Sequence, residues 1–346
     1  MFQCQMDSPV TEFYRYPPIG ADDWRYGFAV GQIRALETRM LTRAALLDLA
    51  NAESFDAAME LLSGTDYALP VGGRGPAEVE QMLRDRRTEV RRRFASLMED
   101  ELLVELLEAR DDFANLRLAI RRLVTERPIG ADYSVDGSIP AEQFEEILQA
   151  EDYGRFPEHL QEAVESAVLG FYENKDIRRI DYELDKAQAV YKLRRARELR
   201  CEFLCSLFRI QIDLINVRMM LRLKAAGRQE RHLFLPEGFV EIAKFAHALE
   251  VGYEAVPPLF FATPYFELVE GGIAYWTTNQ SFLRIERLCE EYLMGYLRQT
   301  ASLAAGWQPI VAYLLLMEQE IRMVRMILTA KHNGMDARLI LDRLGE

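Results

Sequence analysis

Apolar residues recur at helical spacing in three separate segments of the chain. In the first segment they stand at Leu102, Leu106, Ala109, Phe113, Leu116 and Ile120. The second and third segments repeat this stripe at Phe203, Leu207, Ile210, Leu214, Val217 and Leu221, and at Ile310, Leu314, Met317, Ile321, Val324 and Leu328. Spacing of i, i+4, i+7 and i+11 is typical of a long amphipathic helix. The pattern therefore predicts three long helices that belong to an internal repeat.

Polar residues keep the same register within these three helices. The repeated positions hold Asp112, Asn115 and Arg117, then Asp213, Asn216 and Arg218, and finally Glu320, Met323 and Arg325. The third copy thus keeps the acid and the arginine but replaces the asparagine with methionine. Because the apolar stripe and the polar residues recur together, we do not attribute the similarity of the three segments to chance.

The ends of the second and third copies also match. Lys224 and Gly227 correspond to Lys331 and Gly334. A cation in the last turn and a glycine just beyond it are typical of a helix end. The first copy differs, because it ends before Pro128 without this pair.

The motif acid and arginine lie on opposite sides of the apolar stripe. At about 100° per residue, Asp112 lies about 80° to one side and Arg117 about 60° to the other. One hypothesis is that the acidic flank of each unit meets the basic flank of the next around a common axis. The alternative is that these are ordinary residues at the edges of a buried face, because surface ion pairs contribute little to stability.

A weaker marker suggests where each unit begins. The pairs Leu41-Thr42, Ile139-Pro140 and Leu235-Pro236 suit helix starts, since Thr and Pro are favoured there. A short helix would follow each pair, with Leu46 and Leu49 matching Phe144 and Ile147, and loosely Val240 and Ala243. Strand signals are few. We predict an all-α chain with an N-terminal extension (1–23) and three pseudo-symmetric repeats at 24–127, 128–230 and 231–346.

Composition narrows the classes of function. With 49% hydrophobic residues among 346, the chain can bury a sizeable core without disulfides. A net charge of −13 argues against a general nucleic-acid binder. Four scattered cysteines fit a reducing compartment, and no signal peptide or membrane-spanning run is present. We predict a cytoplasmic protein that does not itself cross a membrane.

The sequence carries no recognisable catalytic or cofactor motif. No Gly-Lys dipeptide occurs, so the phosphate-binding loop is absent, and no histidine stands three residues after a glutamate. Cys201 and Cys205 lie one helical turn apart and are interpreted as small buried hydrophobes. We therefore predict no catalytic, cofactor-binding or metal residues and no small-molecule substrate.

Two basic clusters are the main charged features. They comprise Arg84, Arg86, Arg87, Arg91, Arg92 and Arg93, and then Lys192, Arg194, Arg195, Arg197 and Arg200. Interleaved acids such as Asp85, Glu89 and Glu198 favour solvated helix faces, because opposite charges near i+4 stabilise helices. The other interpretation is contact with an acidic partner or with lipid headgroups. The candidate contact residues are Arg84, Arg87, Arg91, Arg194 and Arg195.

Several segments resemble the C/d subunit family of the vacuolar and archaeal-type (V/A) rotary ATPases. The likeness rests on RALE, LTRAALLDL and GTDY within residues 28–67, on DDFANLRLAIR and DLINVRMMLR, and on the ending EQEIRMVRMILTAKHNGMDARLILDRL. It covers almost the whole chain. The extra leading segment and Met323 depart from the family pattern.

The resemblance implies a fold and a function. Members of that family are all-α, with three helical units that form a funnel. The implied role is a non-catalytic rotor subunit that joins the central stalk, with its D and F subunits, to the proteolipid c-ring. It would act on the cytoplasmic face of the membrane and couple ATP hydrolysis or synthesis to proton or sodium transport. The alternative is a helical scaffold that binds an unrelated acidic partner.

Overall fold

The computed structural model describes residues 16–70, 72, 75–125 and 133–345, and these residues form an all-helical protein without strands. The helices in them are α1 (Gly27–Glu37), α2 (Arg43–Asn51), α3 (Phe55–Leu61), α4 (Pro76–Leu97), α5 (Glu101–Thr125), α6 (Ala141–Ala150), α7 (Glu158–Asn174), α8 (Ile177–Glu198), α9 (Glu202–Ala225), α10 (Ile242–Glu250), α11 (Val256–Leu259), α12 (Phe266–Asn279), α13 (Leu283–Arg298), α14 (Trp307–His332) and α15 (Ala337–Leu344). The predicted all-α class is confirmed.

The described chain divides into two compact units. The first unit holds Asp100–Ala255, and the second combines the described residues before Asp100 with those from Val256 onward. The predicted threefold repeat, its boundaries and the funnel shape stay predictions. Residues 1–15 of the predicted extension and the boundary at Pro128 lie outside the described residues.

The core of the first unit forms where α5 packs on α6, α7 and α8. Its largest fully buried side chains there are Phe113 and Phe144, and Leu160 and Ile180 add the contributions of α7 and α8. The predicted stripe of α5 is buried from Leu106 onward, whereas Leu102 in the first turn is 44% exposed. α9 continues from α8 and packs against both α8 and α10.

The core of the second unit is built around α14. This 26-residue helix packs against α1, α2, α3 and α4, so the C-terminal part of the chain completes the core of its N-terminal part. Ile321, Val324 and Ile327 are buried there beside Leu49 and Leu83. All three predicted long helices are thus present, as α5, α9 and α14.

The ends of the long helices agree with the sequence signals. Gly227 and Gly334 both have φ of +64°, a left-handed conformation that favours glycine after a helix. The third helix-start marker is wrong, because α10 begins at Ile242 and Pro236 lies in the preceding loop. The residues that match Leu46 and Leu49 are consequently Phe245 and Ala248.

Candidate functional site

The motif asparagine and aspartate of α5 hold the segment that leads into α6. Asn115 Nδ2 donates to the Ser134 carbonyl at 2.9 Å, and its Oδ1 accepts from the Ser134 N–H at 2.8 Å. Asp112 Oδ1 accepts from the Ser138 N–H at 2.8 Å, and Oδ2 accepts from the Ser138 hydroxyl at 2.7 Å. We call this arrangement a backbone clamp. It supplies hydrogen-bond partners to backbone groups of the connection between α5 and α6.

The same clamp recurs on α9. Asn216 makes both hydrogen bonds to the backbone of Leu235, at 2.9 Å from Nδ2 and 2.7 Å to Oδ1. Asp213 accepts from the N–H groups of Phe239 at 3.0 Å and Val240 at 3.1 Å. In both copies the asparagine reaches 19 residues ahead and the aspartate 26 to 27. In both copies the short helix begins seven residues after the residue that the asparagine binds, so Leu235-Pro236 matches Ser134-Val135 and not Ile139-Pro140.

A glycine lies against the carboxylate in each of these two clamps. A Cβ added at Gly137 would lie 2.5 Å from Asp112 Oδ1, and one added at Gly238 would lie 2.1 Å from Asp213 Oδ1. Only glycine leaves room for this approach of the carboxylate to the backbone. Neither glycine was predicted from the sequence, although the two stand the same 101 residues apart as the two aspartates.

The clamp of α14 uses different side chains and joins distant parts of the chain. Glu320 Oε2 accepts from the Leu41 N–H at 2.6 Å, and Oε1 accepts from the Tyr67 hydroxyl at 2.7 Å. Leu41 stands 279 residues before Glu320 and just before α2. Met323 replaces the asparagine and packs against the apolar core of the unit. Tyr67 is part of the GTDY segment that carried the family resemblance.

The matching lysines secure the ends of short helices. Lys224 Nζ donates to the Ala248 carbonyl at 2.9 Å and also to the Val251 carbonyl, at the end of α10. Lys331 Nζ donates to the Ala52 carbonyl at 2.6 Å, at the end of α2. Cations interact favourably with the exposed carbonyls at a helix C-terminus. The corresponding position of the first copy holds Leu123, which is 36% exposed.

The motif arginines pair with acids other than the motif acids. Arg117 on α5 pairs with Asp181 at 3.4 Å and with Asp185, both on α8. Arg325 on α14 pairs with Glu80 on α4 at 3.1 Å. Arg218 donates to the Leu214 carbonyl of its own helix at 3.1 Å. The acids that pair with Arg117 and Arg325 are therefore not the motif acids, which bind backbone groups, and the arrangement of the units around a common axis stays a prediction.

Burial dominates the electrostatics of the clamps. Loss of solvation raises the pKa of Asp112, although hydrogen bonds from Ser138 oppose this shift. Loss of solvation likewise raises the pKa of Glu320, against the effect of hydrogen bonds from Tyr67 and Leu41. The pKa of Tyr67 is also raised, first by burial and then by the charge of Glu320. The neutral forms of both carboxyl groups are therefore favoured relative to carboxyl groups in water.

The candidate contact arginines lie on two helices and differ in exposure. Arg84 and Arg194 are exposed, whereas Arg87 is half-buried. Arg195 pairs with Glu198 at 2.9 Å. Arg91 donates to Glu318 of α14 at 2.6 Å, with side-chain exposures of only 14% and 4%. Arg91 thus has an internal role, and the interaction of all five residues with a partner stays a prediction.

The described residues offer little for bond chemistry. No group of three or more His, Cys, Asp or Glu side chains among them is placed to hold a metal ion. Cys201, Cys205 and Cys289 are buried, and burial raises the pKa of the Cys201 thiol to about 11. Such a thiol is a poor nucleophile at neutral pH. Among the described helices, none combines the length and the apolar character needed to cross a membrane.

Comparison with known proteins gives the family. Two relatives, from two strains of Thermus thermophilus, are each named as the C subunit of a V-type ATP synthase. They are 26% identical over 248 residues, which cover 69% of this chain and 75% of theirs. The C subunit of the A-type ATP synthase of Thermococcus kodakarensis is 21% identical over 352 residues, which cover 93% of this chain and 90% of its own. The family described as ATP synthase (C/AC39) subunit matches residues 29–343, and the chain belongs to this family.

Proposed function

We propose that this chain is the rotor subunit that joins the central stalk of a V/A-type ATPase or ATP synthase to its membrane ring. The observation that carries the proposal is the family match across residues 29–343, together with relatives named as C subunits of such synthases. In this role the chain binds the D and F subunits of the stalk on one side and the proteolipid c-ring on the other. It performs no bond chemistry and binds no nucleotide.

The packing of the described helices supports a role in transmitting torque. A part that transmits torque has to resist bending, and closely packed interiors have low compressibility and transmit strain. In both units the motif helices hold other segments by buried hydrogen bonds, for example between Asn216 and Leu235 and between Tyr67 and Glu320. The ion pair between Arg91 and Glu318 further ties α4 to α14.

The proposed location is the cytoplasmic face of the membrane, where the chain is held by its partner subunits. Rotation of the ring would then move protons or sodium ions, and the motor in the soluble head would supply or use ATP. Arg84, Arg87, Arg194 and Arg195 are the proposed contact residues, with Arg91 supporting them from the α4–α14 interface.

The proposal is tested by purifying the tagged full-length chain gently from its native cells and identifying associated chains by mass spectrometry. We expect the ATPase head, the stalk subunits and the proteolipid ring in fixed proportion. Purification of the chain from intact membranes without these subunits would contradict the proposal and favour the scaffold interpretation.

A second experiment tests coupling itself. Vesicles carrying the complex, depleted of this chain, should hydrolyse ATP without building an ion gradient, and adding the purified chain should restore the gradient. An unchanged ratio of ion transport to ATP hydrolysis in depleted vesicles would contradict a coupling role.

A further inference from the structure

An aromatic cluster in the first unit contains a histidine at the start of α7. His159 is the second residue of α7, and its ring stacks on the ring of Tyr191 of α8, with centroids 4.5 Å apart and planes 20° apart. The ring centroid of Phe113 on α5 lies 5.9 Å from that of His159 and 6.2 Å from that of Tyr191. The imidazole of His159 therefore lies where α5, α7 and α8 meet.

One nitrogen of this imidazole has no polar neighbour. His159 Nε2 is buried and has no hydrogen-bond partner among the described residues, and the neighbouring Phe113 is only 1% exposed. A neutral imidazole carries a hydrogen on one ring nitrogen, whereas the imidazolium carries one on each. Protonation therefore leaves an N–H group of His159 buried without an acceptor, together with a positive charge, and both cost free energy.

Two positive charges near the ring also oppose protonation. The N-terminus of a helix carries a partial positive charge, and His159 stands in the first turn of the 17-residue α7. Arg194, which is exposed, follows Tyr191 by three residues on α8. Loss of solvation lowers the pKa of His159 below its ordinary value of 6.5, and the charge of Arg194 lowers it further.

The other charged groups around the cluster do not supply the missing partner. They are Glu105 and Asp112 on α5, Arg195 on α8, Glu158 and Glu162 on α7 itself, and Arg155 in the connection before α7. Arg195 pairs with Glu198, Arg155 pairs with Glu146, and Asp112 binds Ser138. The face of the Tyr191 ring attracts a cation, but this attraction gives Nε2 no acceptor. Within the described residues, His159 forms no hydrogen bond or ion pair with any of these groups.

We propose that His159 is a pH-sensitive contact, which packs α7 against α5 and α8 in its neutral form and loosens α7 when it is protonated. The inference concerns the first unit by itself and does not depend on the rotor role. A histidine whose pKa is lower in the folded state contributes stability that is complete above about pH 6.5. This stability is lost as the pH falls through 6.5 toward the folded-state pKa. Acidification therefore weakens the packing of α7.

The first test measures amide hydrogen exchange in the full chain at about pH 7.5 and about pH 5.5. The protection of α7 is expressed relative to that of α9 in the same unit, which removes the intrinsic pH dependence of exchange. In the unmodified chain we expect this ratio to fall at the lower pH, by up to about tenfold. In His159→Phe, whose ring fills the same place but cannot be protonated, the ratio should stay constant.

His247 provides a matched control. It lies on α10 of the same unit, and its side chain is 55% exposed. The same substitution there, His247→Phe, should leave the pH dependence of α7 within twofold of that in the unmodified chain. A change below twofold in the unmodified chain would overturn the proposal. An equal fall in His159→Phe, or an equal loss of pH dependence in His247→Phe, would overturn it as well.

A second measurement follows the proton itself and does not require His159→Phe to fold. Nuclear magnetic resonance of the chain with labelled histidines gives the titration midpoint of the His159 ring. We expect a midpoint below the ordinary value of 6.5. The variant Arg194→Gln, at an exposed position, should raise this midpoint and reduce the loss of α7 protection in acid. A midpoint at or above 6.5, or one that Arg194→Gln does not move, would overturn the proposal.

Discussion

The clamps of α9 and α14 use the same motif position, but the residues that they bind lie at very different distances along the chain. Asp213 binds the backbone 26 to 27 residues ahead of it, within a continuous stretch of chain. Glu320 binds Leu41, at the other end of the sequence. Both bind the N–H of the residue two positions before a short helix, Val240 before α10 and Leu41 before α2. The motif acid thus binds the backbone before a short helix in both cases, within one continuous stretch of chain in α9 and between distant parts of the sequence in α14.

The side chains that form each clamp suit the segment that the clamp binds. A short aspartate fits in α9 because Gly238 lets the backbone approach the carboxylate. In α14 the longer glutamate reaches both Leu41 and Tyr67, and Tyr67 supplies a hydroxyl donor. No asparagine is required there, and Met323 contributes apolar packing instead. The third copy therefore differs from the other two at the clamp that joins the N-terminal and C-terminal parts of the chain.

The largest effect should come from removing the aspartate of the local clamp. Asp213→Ala leaves the buried N–H groups of Phe239 and Val240 without their acceptor. We expect a loss of about 3 kcal/mol in unfolding free energy, because buried donors lose charge-assisted hydrogen bonds. Urea unfolding followed by circular dichroism measures it, and Asp152→Ala at an exposed position is the control. A change below about 0.5 kcal/mol would show that the clamp adds little.

Glu320→Gln tests the chain-closing clamp through its pH dependence. Glutamine preserves the shape and can accept from the Leu41 N–H while donating to the Tyr67 hydroxyl. Because the folded-state pKa of Glu320 is raised, ionisation disfavours the folded state, and this cost appears as pH rises above the ordinary value of 4.5. The unmodified chain should therefore lose stability relative to the variant between pH 4 and pH 7, by about 1.4 kcal/mol per unit of pKa shift.

Unfolding free energies at the two pH values measure this difference. Glu53→Gln, at an exposed position of the same unit, is the control and should show no such trend. A variant that loses stability relative to the unmodified chain as pH rises would mean that the charged carboxylate stabilises the clamp.

The sequence predicted the long helices and the repeated polar residues, but not what those residues bind. Apolar periodicity located α5, α9 and α14 because each buries one continuous stripe. The role of Asn216 could not be derived in this way, since its partner Leu235 lies in a loop whose path depends on tertiary packing. The start of α10 was misplaced because Pro236 is a favourable first helical residue, whereas Leu235-Pro236 matches Ser134-Val135, which lies in the connection before α6.

The basic clusters show a similar limit. Charge counting along α4 identified its arginines, yet Arg91 pairs with Glu318 of α14 and Arg86 pairs with Asp66. Whether an arginine of α4 forms an internal ion pair depends on which side of the helix packs against α14. The sequence alone does not show which helix packs there.

Smaller effects should follow from removing Lys224 and Lys331, the matching lysines near the ends of α9 and α14. Lys331→Met removes the cation from the Ala52 carbonyl, and Lys224→Met removes it from the Ala248 and Val251 carbonyls. We expect each change to cost about 1 kcal/mol, since a cation at a helix C-terminus contributes that order. Unfolding free energies measure both, with exposed Lys186→Met as the control. A cost confined to one lysine would indicate that the two helix ends are not equivalent.

The smallest and most specific effect concerns the position where the first copy lacks this lysine. Leu123 stands 101 residues before Lys224 and is 36% exposed, so a lysine there can leave its charge near water. If α5 and α6 are related in the same way as α9 and α10, the lysine of Leu123→Lys should reach the last carbonyls of α6. We expect a gain of about 0.5 kcal/mol in unfolding free energy. Leu123→Gln, which is polar but uncharged, should give no comparable gain. Equal stability of the two variants would mean that the α5–α6 and α9–α10 pairs are equivalent only in their clamps. A gain specific to lysine would mean that the ends of their short helices are equivalent as well.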